Sequence, residues 1–188
     1  FWRDPDRIRN NGRVHSVVTS GEAIGELLPT YGVRLEHEQG YSETLHFAPD
    51  GTPDGGAPAG TITVPFSNYK TGVFTYDPET GLYLAQEYGQ AYIDGNTGEQ
   101  VGVTNVLILK TDCSLIPGDS EGRLTVDLTS GGEGWYACGG TYIPILWEKG
   151  DADDPLRYTT STGQALELGV GKSYVNIVPL TCAVSFEE

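Results

Sequence analysis

The sequence predicts an α+β fold of predominantly antiparallel β structure, a twisted sheet, sandwich or partial barrel with one short helix near the N-terminus. Short β-branched and aromatic runs recur along the chain, with the alternation of apolar and polar residues that is typical of strands. The 26 glycines and 11 prolines stand between these runs and form no repeat, which indicates turns. With 188 residues, 38% of them hydrophobic, the chain can enclose a core without a metal or a disulfide framework.

The first third of the chain predicts a strand, a helix and a strand-like stretch. Residues 13–19 alternate with valines on both faces, which indicates a short buried strand. Residues 19–22 have the capping-box pattern, in which the Thr19 hydroxyl accepts the backbone N–H three residues on. A helix is expected to follow and to end at Pro29. Residues 33–47 then return to strand-like character.

Residues 48–60 are the best candidate for a loop or a domain boundary. They contain three prolines and four glycines but no large apolar side chain, so we expect them to contribute nothing to a core. Beyond them we expect strands separated by glycine turns, with the apolar run 101–110 at the centre of the sheet and a turn at 77–81. The other predicted strands are 61–64, 73–76, 82–84, 124–128, 142–147 and 174–178.

The charge balance argues against two classes of partner. There are 26 Asp and Glu residues against 11 Lys and Arg, and the formal net charge is -15. Such a surface repels the phosphates of nucleic acids and the headgroups of anionic lipids. No nucleic acid is therefore expected as a partner. Acidity of this kind more often serves solubility than the binding of a cation.

Cysteines and apolar runs say little about where the protein works. Cys113, Cys138 and Cys182 lack the paired spacing of a zinc site, and one disulfide with a spare thiol or three free thiols both fit. No run approaches the roughly 20 apolar residues of a membrane helix, and no signal peptide is visible. The sequence begins at Phe1 and contains no methionine, so we expect a segment upstream.

No motif assigns a metal, a cofactor or a catalytic group. An EF-hand spacing that starts at Asp50 or Asp94 fails at the twelfth position, which is Thr61 or Asn105 in place of glutamate. Ordinary Asp/Gly turns explain both stretches better. The three histidines accompany neither a glycine-flanked serine elbow nor a His-Glu-x-x-His motif. We expect no metal and no cofactor, and the sequence favours a non-enzymatic protein.

Tyrosine is the most frequent aromatic residue beyond residue 60. Its flat ring and hydroxyl tip suit contacts with glycans or peptides at a surface. The alternative, which we favour, is that tyrosine packs half-buried across strands because its β-propensity is high. The aromatic residues concerned are Tyr69, Tyr76, Tyr83, Tyr88, Tyr92, Tyr136, Tyr142, Tyr158, Tyr174, Trp135 and Trp147.

Several segments together resemble the YerB-like bacterial lipoproteins, a two-domain family of unknown function. Residues 1–4 are similar to the family's aromatic-Arg-Asp segment, and residues 15–20 resemble its later Pro-His-Asn…Tyr-Thr-Ser stretch. The order and spacing of further short pieces extend the resemblance over nearly the whole chain. These pieces are 76–77, 80–83, Asp94, 97–98, 105–106, 122–123, Trp147, Lys149, Pro155, Gly163, 171–172 and 178–179.

This resemblance implies two domains, export and tethering. Residues 1–60 are expected to be the tail of an N-terminal α+β domain, and residues 61–188 the C-terminal β-rich domain. A lipidated cysteine upstream of Phe1 would hold the protein on the extracellular surface of a Gram-positive cell. Val14, Ser16 and Val18 depart from the family pattern around the retained His15, so a polar site built on that motif is expected to be altered or lost.

Three functions are consistent with these observations. The first is a non-enzymatic binding module for a cell-wall glycan, a peptide or an envelope protein, acting through a tyrosine-rich face or a cleft between the domains. The second is a hydrolase or transferase acting on envelope polymer, with carboxylates such as Asp77 and Asp94 as acid and base. The third is a scaffold in an envelope assembly, which predicts a flat exposed apolar patch.

The candidate contact residues include two with a structural alternative. Trp147 shares one face of a predicted strand with Ile143 and Ile145, which favours a place in the core. His15 can instead serve by a hydrogen bond to a neighbouring backbone. The five candidates are His15, Asp94, Asn105, Trp147 and Arg157.

Overall fold

The computed structural model describes residues 1–151 and 153–188 and divides into two compact units, Phe1–Ser42 (unit 1) and Glu43–Glu188 (unit 2). Strands dominate and pair mainly antiparallel, and no sheet among the described residues closes into a barrel. The predicted fold class is therefore confirmed. The assignment of residues 1–60 and 61–188 to two family domains stays a prediction.

Unit 1 consists of short elements that begin at polar caps. The Asp4 carboxylate accepts the backbone N–H groups of Asp6 and Arg7, and Pro5 occupies the first turn, where a missing N–H is tolerated. Ser20 Oγ accepts the Ala23 N–H at 3.1 Å and starts the second helix. The elements are β1 (Trp2–Arg3), α1 (Pro5–Asn11), a 3-10 turn (Val14–Ser16), β2 (Val17–Val18), which pairs with β1, and α2 (Gly21–Leu27).

Several details of unit 1 differ from the sequence predictions. The predicted buried strand 13–19 shrinks to the two residues of β2, because the backbone before it turns as a 3-10 helix. The helix predicted before Pro29 is present, but its cap is Ser20 and not Thr19. A second helix, α1, was not predicted. Residues 33–45 form no strand, and their apolar side chains Val33, Leu35 and Tyr41 are exposed instead of packed against a core.

Unit 2 carries the remaining strands, most of them short. They are β3 (His46–Ala48), β4 (Ala57–Pro58), β5 (Thr61–Pro65), β6 (Thr71–Asp77), β7 (Leu82–Glu87), β8 (Gln90–Ala91), β9 (Gly102–Val103), β10 (Asn105–Thr111), β11 (Cys113–Leu115), β12 (Leu124–Val126), β13 (Gly132–Cys138), β14 (Thr141–Glu148), β15 (Arg157–Thr160), β16 (Glu167–Gly169), β17 (Ser173–Pro179) and β18 (Ser185–Glu187).

Two six-stranded sheets organise unit 2. The first has the order β15-β14-β13-β10-β17, with β4 added beside β14, and the second has the order β18-β5-β6-β7-β8, with β9 added beside β7. Neighbouring strands in both sheets are antiparallel except β10 and β17, which run parallel. Two smaller pairs stand apart: β11 with β12 is antiparallel, and β3 with β16 is parallel.

Strand β10 lies at the centre of unit 2 because both of its faces are buried. Val106 and Ile108 belong to a cluster shared with the second sheet, whereas Leu107 and Leu109 belong to a cluster on the opposite face. The first cluster is thus the interior between the two sheets. Its other buried members are Ala59, Ile62, Val64, Phe74, Tyr83, Ala85, Val103, Ala137, Val178 and Cys182, and the second cluster adds Tyr136, Cys138, Ile145, Trp147, Tyr158, Leu166 and Leu168.

Most strand predictions for unit 2 are confirmed. The apolar run 101–110 is central as expected, although Thr104 divides it between β9 and β10. The run 124–128 yields only β12, all of it exposed. The predicted strands 61–64, 73–76, 82–84, 142–147 and 174–178 each lie within a strand of the structure.

The prediction that residues 48–60 contribute nothing to a core is wrong. Ala57 and Pro58 form β4 against β14, and Ala59 is fully buried in the cluster between the sheets. The Ala59 methyl group is small, but it is still part of the apolar core.

In the described part of the chain no helix is long and apolar enough to cross a membrane. Cys113, Cys138 and Cys182 are free thiols.

Candidate functional site

Asn105, a predicted contact residue, is fully buried at the start of β10 and uses both ends of its amide. Its Nδ2 donates to Gly169 O at 2.8 Å and to Ser173 Oγ at 3.1 Å. Its Oδ1 accepts the Gly169 N–H at 2.9 Å and lies 2.9 Å from the Tyr136 hydroxyl. The side chain therefore ties β10 to β13, β16 and β17.

Asp94 and Asp77, the acid and base of the hydrolase hypothesis, each cap a turn. Asp94 Oδ1 accepts the backbone N–H groups of Asn96 and Thr97, and the Thr97 contact lowers the pKa of Asp94 most strongly. The hydroxyl of Thr80 donates to Asp77 Oδ2 at 2.8 Å and is the main cause of the lowered pKa of Asp77. A general acid needs the opposite, a carboxyl that stays protonated near neutral pH.

The other three predicted contact residues lie in different surroundings. His15 is exposed in the 3-10 turn of unit 1. Trp147 is 2% exposed in the core cluster that contains Leu107, and its Nε1 donates to Lys110 O at 3.2 Å. Arg157 is exposed on β15. A contact role for these residues stays a prediction.

The tyrosines of unit 2 divide into an interior group and a surface group. Tyr69, Tyr88 and Tyr92 are 90%, 66% and 46% exposed. Packing across strands therefore accounts for the buried tyrosines only. The three exposed tyrosines need another explanation. The buried or half-buried members are Tyr76, Tyr83, Tyr136, Tyr142, Tyr158 and Tyr174.

Two of the exposed tyrosines line a cleft of about 440 Å³ beside the hairpin that joins β7 to β8. The second sheet supplies one wall through that hairpin, and β17 of the first sheet supplies Tyr174. The cleft therefore forms where the two sheets meet at one end of their shared interior. This tyrosine cleft is lined by Lys70, Glu87, Tyr88, Gln90, Ala91, Tyr92 and Tyr174.

Glu87 places a carboxylate at a buried position of the cleft. It is 9% exposed, in phase with the buried Tyr83 and Ala85 of the alternating strand β7. Lys70 Nζ lies 3.0 Å from its Oε2, and the Tyr174 hydroxyl donates to its Oε1 at 2.9 Å. A buried charge persists only when it is paired and hydrogen-bonded, and these two partners meet that condition.

Lys70 and Tyr174 both carry hydrogen-bond donors at the cleft. Burial raises the pKa of Tyr174 to about 12, and the hydrogen bond to the Glu87 carboxylate acts in the same direction. The phenol is therefore protonated at neutral pH. The Lys70 side chain remains 36% exposed, and its ammonium lies 4.8 Å from the centroid of the Phe66 ring. Its remaining N–H groups are available to a ligand.

Tyr88 has the backbone conformation that a hairpin turn ordinarily gives to asparagine or glycine. Its φ is 53°, the only positive φ of a non-glycine residue in the described part of the chain, and Gly89 follows with φ 72°. Such two-residue turns favour Asn-Gly, and a tyrosine there is disfavoured. Because the ring stands exposed at the rim of the cleft, we expect it to serve contact and not stability.

The tyrosine cleft combines flat rings with hydrogen-bonding groups. Tyr88 and Tyr92 offer apolar faces, while Lys70, Glu87 and Tyr174 offer donors and an acceptor. A sugar ring, with an apolar C–H face and hydroxyl edges, is complementary to both. The described residues contain no group of three or more His, Cys, Asp or Glu side chains suited to a metal ion.

Sequence reasoning included the three tyrosines of the cleft in a larger set but missed Lys70 and Glu87. The available signal was an acidic residue in phase with the buried positions of an alternating strand, since β7 buries every second residue up to Glu87. None of the five predicted contact residues lines the tyrosine cleft.

Comparisons with known proteins match most of unit 2 in sequence and nearly the whole chain in structure. Residues 62–175 match the family model described as "Protein of unknown function (DUF3048) C-terminal domain". The "Putative lipoprotein YerB" of Bacillus subtilis (strain 168) is 29% identical over 115 residues, which are 61% of this chain and 33% of that protein. The crystal structure of the YerB protein from Bacillus subtilis has a TM-score of 0.76 at 24% identity, over 98% of this chain and 59% of that one. This chain thus spans less than two thirds of the YerB protein in both comparisons.

Proposed function

This chain belongs to the DUF3048 family, whose function is unknown, and we propose that it is a non-enzymatic binding module that holds a cell-wall glycan in the tyrosine cleft. The resemblance to the YerB-like lipoproteins is confirmed. The match over residues 62–175 includes every lining residue of the cleft. The cleft therefore belongs to the family domain itself.

The observation that supports this proposal most directly is the buried Glu87 carboxylate between Lys70 and Tyr174. Burying this group costs stability that an apolar residue at the same strand position would not cost. Glu87 lines the same cleft as Tyr88 and Tyr92, so a ligand there can meet aromatic rings and polar groups together. This combination suits a neutral glycan, because the Lys70–Glu87 pair adds no net charge to the cleft.

We further propose that the protein works on the extracellular surface of a Gram-positive cell, tethered through a lipidated cysteine upstream of Phe1. Support comes from the name of the Bacillus subtilis relative, which calls that protein a lipoprotein. The net charge of -15 agrees with this placement, because it disfavours direct adsorption to anionic lipids. Palmitate labelling of the full-length protein in its host is the measurement for the anchor.

The glycan proposal is tested by calorimetric titration with the tetrasaccharide of N-acetylglucosamine, which is neutral and carries no peptide. We expect the Tyr88→Ala/Tyr92→Ala variant to bind about tenfold more weakly, because each ring loses roughly 0.5–1 kcal/mol of stacking. Lys70→Met should also weaken binding, since it leaves the Glu87 carboxylate without its cation.

Tyr69→Ala is the matched control, because Tyr69 is 90% exposed and does not line the cleft. Its affinity should equal that of the unmodified chain. Equal losses in the control and in the double variant would assign the effect to general surface aromaticity, and the proposal would be wrong. Absence of binding by the unmodified chain would be equally decisive against it.

A further inference from the structure

We propose that unit 2 has a second binding site, which takes the lysine side chain of a peptide in a polar cleft separate from the tyrosine cleft. This cleft has a volume of about 710 Å³ and shares no lining residue with the tyrosine cleft. Its size falls within the roughly 300–1,000 Å³ typical of ligand sites. We call it the Asp50 cleft, formed by residues 50–55, by Tyr136, Ile143 and Pro144, and by residues 160–162 and 164–167.

One wall of the Asp50 cleft is fixed to the sheet. The Tyr136 hydroxyl is fully buried and lies 2.9 Å from Gly51 O, which anchors the loop to β13. A Cβ on Gly51 would collide with the backbone of Gly169 and the Tyr136 hydroxyl, so only glycine allows the loop to sit this close. Asp50 Oδ1 accepts the Thr52 N–H at 2.9 Å and sets the turn. The cleft is therefore preformed.

The charges that line this cleft are all negative. Asp50, Asp54 and Glu167 contribute to the lining, and no Lys, Arg or His does. Among the described residues, neither Asp54 nor Glu167 takes part in an ion pair. Both are exposed at the rim, and the field of a chain with net charge -15 adds to theirs. A cation is the complementary ligand charge.

The uncharged residues that line the Asp50 cleft indicate which kind of molecule would bear the cationic group. Ile143, Pro144 and Leu166 give the cleft an apolar side, on which an alkyl stem can lie while its ammonium reaches the carboxylates at the rim. Ser161 and Gln164 offer a hydroxyl and an amide group for the backbone of a peptide. An alkyl stem, a terminal ammonium and flanking amides together describe a lysine in a peptide, and a bare metal ion would leave the apolar side unused.

The test is a backbone-amide NMR titration of the whole chain with the peptide N-acetyl-Gly-Lys-Gly-amide at low salt. We expect the largest shifts at the amides of residues 50–55, Tyr136, Ile143 and residues 160–162 and 164–167. The same peptide acetylated on its lysine should bind about tenfold more weakly, and the Asp54→Asn/Glu167→Gln variant should lose about tenfold, because each lost ion pair is worth a few-fold in affinity.

The Glu79→Gln/Asp112→Asn variant removes the same charge from exposed positions outside the cleft and should lose less than about twofold. Equal losses in both double variants would show general charge attraction and overturn the proposal. Equal binding of the acetylated peptide, or shifts centred on residues that do not line the Asp50 cleft, would overturn it as well. The site is independent of the glycan proposal, since a titration of the tyrosine cleft can succeed or fail whatever this result is.

Discussion

Asn105 and Asn176 are two asparagines buried to 0% and 1% exposure whose amides differ in how far they are satisfied. Asn105 uses both ends of its amide, whereas Asn176 donates to Leu107 O at 3.1 Å and its Oδ1 has no partner in the described structure. Both stand in strongly apolar strands, so the sequence shows a polar residue inside a core but not its partners. Those partners lie 31 to 69 residues away along the chain, and only strand pairing brings them near.

Because Asn105 makes more hydrogen bonds than Asn176, we expect its substitution to lower the free energy of unfolding more. Asn105→Ala should destabilise unit 2 by about 2–3 kcal/mol, because the Gly169 carbonyl and Ser173 lose the amide donor, whereas the Gly169 N–H and the Tyr136 hydroxyl each keep one other partner. Asn176→Ala should cost about 1–2 kcal/mol, because only the carbonyl of Leu107 loses its bond. Urea unfolding followed by tryptophan fluorescence measures both. If the two variants unfold at the same urea concentration, the network around Asn105 contributes no special stability.

Strands with continuous apolar runs were predictable, whereas β13 was not. Two glycines interrupt β13 and suggest turns in the sequence. In the structure, a Cβ on Gly132 would meet Lys110 O and one on Gly134 would meet Ile108 O, both on β10. Glycine therefore permits close approach of two backbones here and marks no turn. The tyrosine cleft was unpredictable because Lys70 precedes β6 of the second sheet, whereas Tyr174 lies on β17 of the first sheet, 104 residues further along the chain.

At the hairpin between β7 and β8, we expect one substitution to increase folding stability and to weaken ligand binding. Tyr88→Asn should raise the free energy of unfolding by roughly 0.5–1 kcal/mol, because asparagine tolerates a positive φ better than tyrosine. The same change should weaken glycan binding, since it removes a ring from the rim of the cleft. Thermal unfolding and calorimetry on one sample measure both effects. A variant that gains stability and keeps full affinity would show that the Tyr88 ring has no contact role.

Across the whole molecule, aspartates repeatedly cap turns. Asp127 accepts hydrogen bonds from both the hydroxyl and the N–H of Ser130 and of Thr129, and these contacts lower the pKa of Asp127 to about 2 from an ordinary value of 3.8. Charge counting in the sequence showed how acidic the chain is, but not that its carboxylates are engaged in this way. The other turn aspartates with a lowered pKa are Asp50, Asp77, Asp94 and Asp119.

This pattern predicts acid sensitivity. Each folded-state pKa lies below the unfolded value, so the stabilisation is complete above pH 3.8 and is lost as the pH falls towards about 2. Urea unfolding at about pH 5, 3 and 2 in 0.15 M salt should therefore show falling stability. Asp127→Asn should flatten that decline, because one of the titrating groups is gone. A stability that stays constant over this range would mean that the caps do not favour the ionised form.

The parallel pairing of β10 with β17 has a consequence for how the polypeptide leaves the ribosome. Strand β10 ends at residue 111 and its neighbour begins at residue 173, while β5 of the other sheet pairs with β18 at 185–187. The pairings β10–β17 and β5–β18 cannot form before those late segments have left the ribosome. Contacts between residues so distant along the chain also form slowly. During synthesis the chain can therefore form local hairpins such as β6–β7 and β13–β14, but it completes neither sheet before residues 173–187 have emerged.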